Sequence, residues 1–252
     1  MTSARILGGR VDSAGMAEAL ETIRSGVESG RFLQVVTANP VMVFATRKAP
    51  ALARVFSRAG LVVADSAGMV LLARLKGLPV KERVAGIDLA MELARLAAEK
   101  GWPIFLVGGK PGVAEEAAGR LQALHPGLAI SGARNGYFSV DEEKDVLGEI
   151  RDKRPRIVLV GLTAGLQEKW IALHAEVFAG MCVLGLGGSL DVISGRLRRA
   201  PVWMRGMGLE WLFRLVQEPW RWRRALLLPV AFFAALLLPP TRDRFDNRAD
   251  LS

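Results

Sequence analysis

The chain holds a single cysteine, Cys182, among 252 residues. No disulfide can form within it, which suits a reducing compartment. Histidine is almost as scarce. His125 and His174 stand far apart and lack ligand spacing, so neither a metal site nor a Ser–His–acid triad is legible from them. Asp141-Glu142-Glu143 reads as the acidic start of a helix rather than a metal cage. Two phosphate-binding fingerprints are also absent. Gly108-Gly109-Lys110-Pro111-Gly112 lacks the spaced second glycine and the Lys-Ser/Thr pair of a P-loop, and Gly185-Leu186-Gly187-Gly188-Ser189 is not the six-residue dinucleotide motif. Either run can bring backbone N–H groups to a nucleotide, and a generic turn explains each as well. No apolar stretch opens the chain, so no signal peptide is expected. Residues 225–240 carry no charge, but a spanning helix needs about 20 apolar residues, and Pro229 interrupts the run.

What the chain does have is apolar mass and positive charge. Hydrophobic residues make up 51%, and the formal net charge is +9. That balance favours phosphates, nucleic acid or an acidic membrane surface. With one tyrosine and no interleaving of aromatic and basic residues, nucleic acid is not the expected partner.

Short apolar runs at 32–36, 61–64, 104–107, 128–130, 157–160 and 182–186 read as strands. Between them, residues 16–27, 51–59, 68–76, 89–100, 113–124, 142–151 and 168–178 carry apolar side chains at spacings of three and four. Alternating strands and helices predict an α/β fold, with a Rossmann-like, mostly parallel sheet flanked by helices. The character changes near residue 195. Residues 196–224 hold eight arginines, two glutamates and four tryptophans, Trp203, Trp211, Trp220 and Trp222. The division expected is therefore an α/β domain over 1–195 and a basic, Trp-rich appendage over 196–252. Its uncharged segment suits a helix in the membrane interface or a re-entrant hairpin, with a core helix as the bland alternative.

Polar residues punctuate the strand ends, where ligands bind in open α/β sheets. Asp65 follows the run 61–64. A carboxylate there can accept a proton from an incoming hydroxyl, or can cap the helix that follows. Thr37 and Asn39 point to the same side of an extended segment, and Pro40 suits a helix start. Arg83 and Gln167 complete four separated segments that converge on one pocket.

Taken in order, these pieces resemble the WecG/TagA/CpsF family of bacterial glycosyltransferases. The blocks are Thr37-Ala38-Asn39-Pro40, Ala64-Asp65, Arg83-Val84-Ala85-Gly86, Asn135-Gly136-Tyr137-Phe138, Gly161-Leu162 and Gln167-Glu168-Lys169-Trp170. They continue through Gly185-Leu186-Gly187-Gly188, Arg199-Ala200-Pro201, the run 208–215 and Glu218-Pro219. Two places depart from the family pattern. Ser66 follows the aspartate where glycine is usual, and Thr163-Ala164-Gly165-Leu166 replaces Gly-x-Pro-Lys.

The resemblance implies an inverting transfer of an N-acetylmannosamine-type sugar from a UDP donor to a polyprenyl-diphosphate-linked amino sugar. It implies no metal and no cofactor, and the Asp-x-Asp triplet that would hold a divalent ion is missing from the chain. It makes Asp65 the general base, with Thr37, Asn39, Arg83 and Gln167 around the reaction centre. Gly136, Tyr137 and Asp191 would contact the nucleoside. Arg214, Arg221 and Arg224 would hold a diphosphate. The place implied is the cytoplasmic face of the membrane, held peripherally on its anionic surface, with a homo-oligomer left open. Two other classes stay open on the sequence: a nucleotide-dependent oxidoreductase, and a non-catalytic membrane-associated sugar-nucleotide-binding protein.

Overall fold

The computed structural model describes residues 2–238. The chain opens with an antiparallel hairpin, β1 (Ser3–Ile6) and β2 (Gly9–Asp12). There follow α1 (Met16–Glu28), β3 (Leu33–Ala38), α2 (Pro40–Ala45), α3 (Pro50–Arg58), β4 (Leu61–Ala64), α4 (Ala67–Leu75) and α5 (Gly86–Lys100). Next come β5 (Ile104–Gly108), α6 (Val113–Leu124), β6 (Ile130–Arg134), α7 (Val140–Lys153), β7 (Ile157–Gly161), α8 (Leu166–Leu173), β8 (Cys182–Gly185) and α9 (Ser189–Ile193). The chain then runs through α10 (Val202–Gly206), α11 (Glu210–Gln217), a 3-10 turn at Pro219–Arg221 and α12 (Trp222–Leu237).

Six strands form one parallel sheet in the order β4-β3-β8-β7-β5-β6. The expected α/β architecture is therefore present, with five predicted strands in place and the sixth, expected at 128–130, displaced to Ile130–Arg134. Because the strands are parallel, all their C-terminal ends lie along one edge. Residues of opposite parity feed opposite faces, as the period of two requires. Val35, Leu61, Leu106, Leu159 and Leu184 pack beneath α1, α5, α6 and α9. Val36 and Val62 pack beneath α2, α3 and α4, and Phe105, Val158 and Val183 beneath α7 and α8. Cys182 is buried in this sheet, and burial pushes its thiol up to about 12, so it stays protonated.

Several short elements escape the periodicity reading, among them β1, β2 and α2. Strands β1 and β2 have four residues each and include Ser3, Arg5, Arg10 and Asp12, so no apolar run marks them. They nonetheless cover the exposed edge of the sheet. The buried Asp12 carboxylate accepts the Val62 N–H at 2.8 Å and is gripped twice by Arg10 at 2.9 Å. A backbone donor that would otherwise lie open on an edge strand is thereby satisfied. Helix α2 has only six residues and is fixed by its start: Pro40 at the first position, and the Asn39 Oδ1 accepting the Met42 N–H at 3.1 Å. The helix expected over 168–178 ends at Leu173 instead. The chain turns there so that Phe178 can bury itself edge-on against Trp170, 5.5 Å between ring centroids.

Helix α12 is one helix that runs through Pro229, so residues 222–237 do not form a hairpin. Its small inner residues Ala231 and Ala235 are buried, with Phe232 and Leu236 beside them, against α2 and α4. Its outer residues Leu226, Leu227, Val230 and Leu237 are exposed. Residues 239–240 of the uncharged run lie outside the described residues. Among the described residues, no helix is long and apolar enough to cross a membrane.

The hairpin generates a stability test. Asp12→Ala leaves the buried Val62 N–H and the Arg10 fork without their acceptor. We expect a loss of about 3 kcal/mol in urea unfolding with the slope unchanged, since a buried charged partner is removed from one side only. A loss under about 0.5 kcal/mol, the range of an ordinary surface substitution, would show that the edge needs no such cover.

Candidate active site

Strand β3 leads to α2 on one face of the sheet, whereas β8 leads to α9 on the other. Where neighbouring strands send the chain to opposite faces, a crevice opens at their C-terminal ends. Here it is a cleft of about 830 Å³, roofed by α10, α11 and α12. Asn39, Asp65, Ser66, Arg83 and Ser189 line it from the sheet side, and Arg199, Glu210, Arg214, Arg221 and Phe232 from the roof.

Asp65 is freed from a capping role by its neighbour. The cap of α4 is Ser66, whose Oγ accepts the Met69 N–H at 3.2 Å. This is the position where the family pattern has glycine. Asp65 itself is recessed in the cleft. Its Oδ1 accepts the Gly86 N–H at 2.7 Å, from the start of α5, and the Nε of Arg83 donates to its backbone carbonyl at 2.8 Å. Burial pushes its carboxyl up to about 6. The Gly86 N–H and the Arg83 charge oppose that rise, whereas Glu210 and Asp88 add to it. Asp88 stands in the first turn of α5 and behaves differently. Partial burial would raise its carboxyl, but the Arg199 guanidinium grips both oxygens at 2.6 and 2.7 Å and holds it below the usual range.

Thr37 and Gln167 lie beneath the cleft rather than in its lining. The buried Thr37 hydroxyl donates to the Gly185 carbonyl at 2.8 Å, tying β3 to the end of β8. The Gln167 amide is also buried. Its Oε1 accepts the Gly187 N–H at 2.9 Å, and its Nε2 donates to Glu168 at 2.6 Å. Both therefore hold the loop after β8 in shape. Gly188 in that loop lets Arg214 lie against it, since a Cβ there would meet the guanidinium at 2.2 Å. Arg214 donates to the Gly188 carbonyl at 2.9 Å and to Glu218 at 2.8 Å, with Asp191 4.0 Å away. Arg221 pairs with the same Glu218 at 2.9 Å. The Arg224 side chain lies outside the described residues.

Gly136 and Tyr137 sit farther along the sheet edge, after β6, and do not line the cleft. A Cβ at Gly136 would come within 2.6 Å of the Leu162 side chain and 3.0 Å of the Gly108 backbone, so a larger residue there would have to push these neighbours aside. The Gly136 N–H donates to the Gly109 carbonyl at 2.8 Å, and the Tyr137 side chain is exposed. Among the described residues, no group of three or more His, Cys, Asp or Glu side chains gathers in a metal-holding arrangement.

Sequence reasoning assigned no role to Arg199, Asp88, Glu210 or Glu218. Their pairings join residues as far apart as Arg83 and Glu210, 127 positions along the chain. The available signal was compositional: only two carboxylates, Glu210 and Glu218, stand among the eight arginines of 196–224.

The sequence model of the "Glycosyl transferase WecG/TagA/CpsF family" matches residues 4–245. Among curated proteins, the chain is similar to an N-acetylglucosaminyldiphosphoundecaprenol N-acetyl-beta-D-mannosaminyltransferase of Bacillus subtilis (strain 168), with 36% identity over 77% of this chain and 75% of that one. Proteins of the same name from Bacillus spizizenii and Staphylococcus aureus (strain MW2) are 36% and 30% identical. They cover 86% and 90% of this chain, and 83% and 90% of their own length. With a match across nearly its whole length, the chain belongs to the WecG/TagA/CpsF family of glycosyltransferases.

Proposed function

We propose that this glycosyltransferase moves an N-acetylmannosamine-type sugar from a UDP donor to a polyprenyl-diphosphate-linked amino sugar, with inversion, in the synthesis of a cell-surface polysaccharide. The observation that carries the reading is Asp65. It is a recessed carboxylate at a strand end, relieved of capping by Ser66, and its carboxyl is pushed up to about 6. Such a group is ionised at neutral pH yet basic enough to draw a proton from a hydroxyl. The relatives' names give the acceptor and the transferred sugar; UDP as the carrier is our inference from the family resemblance.

In the proposed step, the Gly86 N–H fixes Oδ1 of Asp65 and leaves Oδ2 for the acceptor hydroxyl. The hydroxyl oxygen bonds to the anomeric carbon of the donor sugar as its proton passes to Asp65. The bond from that carbon to the diphosphate breaks on the opposite face, and the electron pair leaves with UDP. Arg83, Arg199, Arg214 and Arg221 surround the cleft, and their planar forks suit phosphate oxygens. Thr37 and Gln167 serve this chemistry by shaping the loop after β8, and Asn39 borders the reaction centre. Asp191 lies beside Arg214, and Gly136 and Tyr137 mark the outer part of the strand-end edge, where a nucleoside would reach.

We assign residues 196–252 to a membrane-facing appendage on the domain formed by 1–195, working at the cytoplasmic face. The outer side of α12 is exposed, as are Trp203, Trp211, Trp220 and Trp222, and the Arg223 guanidinium lies 5.4 Å from the Trp222 ring centroid. Arginine, tryptophan and an apolar helix face that does not span are the elements of an interfacial helix.

Replacing Asp65 by Asn keeps the side chain's size and removes its basicity. Turnover should fall by on the order of 100-fold or more, with donor binding little changed and the fold intact. In the wild type, kcat/KM should fall about tenfold per pH unit below pH 6, as the base becomes protonated. Stability runs the other way. The folded chain binds this proton more tightly than the unfolded chain, so the contribution of Asp65 to stability is present at low pH and lost as pH rises through about 6. Near-normal transfer by Asp65→Asn would remove Asp65 from the chemistry.

If arginines carry the leaving diphosphate, transfer should persist in EDTA. Collapse in EDTA with rescue by magnesium or manganese would assign that work to a metal ion.

For the appendage, the double substitution Leu226→Gln/Val230→Gln alters only outward-facing residues of α12. It should weaken binding to anionic vesicles while leaving transfer to a water-soluble short-chain acceptor intact. Wild-type vesicle binding should itself weaken as salt rises, since each arginine near an anionic surface contributes roughly 1 kcal/mol. Vesicle binding indifferent to both changes would point to another anchoring surface.

A further inference from the structure

Glu210 opens α11, a helix whose preceding residue, Leu209, makes no side-chain cap. The bland role for an acid in a first turn is to complement the helix N-terminus, worth little at an exposed site. Its carboxylate does something else. Oε2 accepts from the Nη2 of Arg83 at 2.5 Å, while Oε1 lies 3.8 Å from the Nε of Arg199. Arg83 reaches on to the backbone carbonyl of Asp65, and Arg199 reaches on to Asp88. Asp88 belongs to the first turn of α5, the helix whose Gly86 N–H holds the Asp65 carboxylate. Two arms thus lead from Glu210 toward Asp65. One ends on its main chain and the other on the helix start that orients its side chain.

We propose that Glu210 is a positioning residue for the transfer, coupling the seating of the C-terminal helices over the cleft to the placement and basicity of Asp65. The inference rests on Asp65 being the base. The arms differ in tightness. Arg83–Glu210 is a short charged hydrogen bond, whereas the Arg199 Nε is buried without a hydrogen-bond partner, its contact with Glu210 too long to count as one. The second arm can therefore shorten by about 0.9 Å, to ordinary hydrogen-bond length, when α11 moves toward the sheet. That gives the roof a way to register closure at the base.

The charges balance around this ring. Asp65, Asp88 and Glu210 face Arg83 from the loop before α5, Arg199 from the segment before α10, and Arg205 from α10. Removing the Glu210 charge leaves an excess of one cation beside Asp65. The carboxylate is then stabilised and becomes a weaker base.

The experiment is the pH profile of kcat/KM for lipid-linked acceptor, with hydrogen exchange of the α11 amides alongside, on the full chain and on Glu210→Gln and Glu210→Asp. Glu210→Gln keeps the size and one acceptor oxygen. Its acid limb should move down by about half a pH unit or more, because a like charge beside the base is gone. Turnover above the limb should fall about tenfold, and residues 210–217 should exchange faster. Glu210→Asp keeps the charge, so its limb should return toward the wild-type position. An unmoved limb in Glu210→Gln, or α11 amides as protected as in the wild type, would overturn the proposal. Where Glu210→Gln transfers too slowly to profile, the limb of Glu210→Asp decides: a limb at the wild-type position supports the proposal, and a displaced limb overturns it. Failure of the base assignment shows differently: the wild type then lacks an acid limb, or Asp65→Asn stays active.

Discussion

A carboxylate recessed at the end of a parallel strand is costly to ionise, and the surroundings of Asp65 are arranged around that cost. Burial alone would hold the group neutral, and a full complement of positive partners would make it too acidic to take a proton. What surrounds it is a compromise. One backbone N–H, from Gly86, meets the carboxylate, and the nearest guanidinium, Arg83, spends its Nε on the backbone carbonyl and its Nη2 on Glu210. The result is a carboxyl at about 6, between a structural acid and a permanent anion. Ser66 belongs to the same arrangement. By capping α4 itself, it leaves the Asp65 side chain pointing at the cleft rather than at the helix start.

The position of the cleft follows from topology. A parallel sheet puts six strand ends on one edge, and the divergence of α2 and α9 opens the gap between β3 and β8. The gap needs a firm floor, which Thr37 and Gln167 provide by pinning the Gly185–Gly188 segment with two hydrogen bonds. It also needs a roof, and the roof is where this chain becomes amphipathic on a larger scale. Small residues on the inner face of α12 allow it to lie close to α2 and α4, and large ones on the outer face remain bare. One helix thus answers to the protein interior on one side and, on the proposed reading, to lipid on the other.

Much of the fold was legible because its signals are local. Strand 61–64 and helix 113–124 were read to the residue, since a buried strand and an amphipathic helix each write their period into a dozen positions. The hairpin was not legible, because its stabilising contacts, Asp12 to Val62 above all, reach 50 residues along the chain. Helix 222–237 was ambiguous for a physical reason. Its mean hydropathy says apolar, but the division between a packed face and a bare one depends on α2 and α4, which no window around it contains. The same holds at the site. Asp65, Asn39 and Arg83, which line the cleft, stood out as candidates because polar residues at strand ends are rare in an apolar chain. Glu210 and Glu218, although inside the family-like blocks, were given no role, because two glutamates among eight arginines look like ordinary solvated charge.

Those two glutamates hold four arginines together along one cleft. Arg83, Arg199, Arg214 and Arg221 border one cleft. Left alone, they would repel one another and splay apart when no anion is bound. Glu210 pairs with Arg83 and lies near Arg199, while Glu218 takes the Nε of both Arg214 and Arg221. The cationic wall is thus held in a defined geometry in the ligand-free chain, which lowers the ordering cost of binding. On the proposed reading, an arriving diphosphate must share or exchange partners with these carboxylates, so its net gain is smaller than four uncompensated arginines would give. For a transferase that restraint has a use. The diphosphate that leaves the sugar has to leave the protein too, and a wall that can return to its own carboxylates releases it more readily than one left uncompensated.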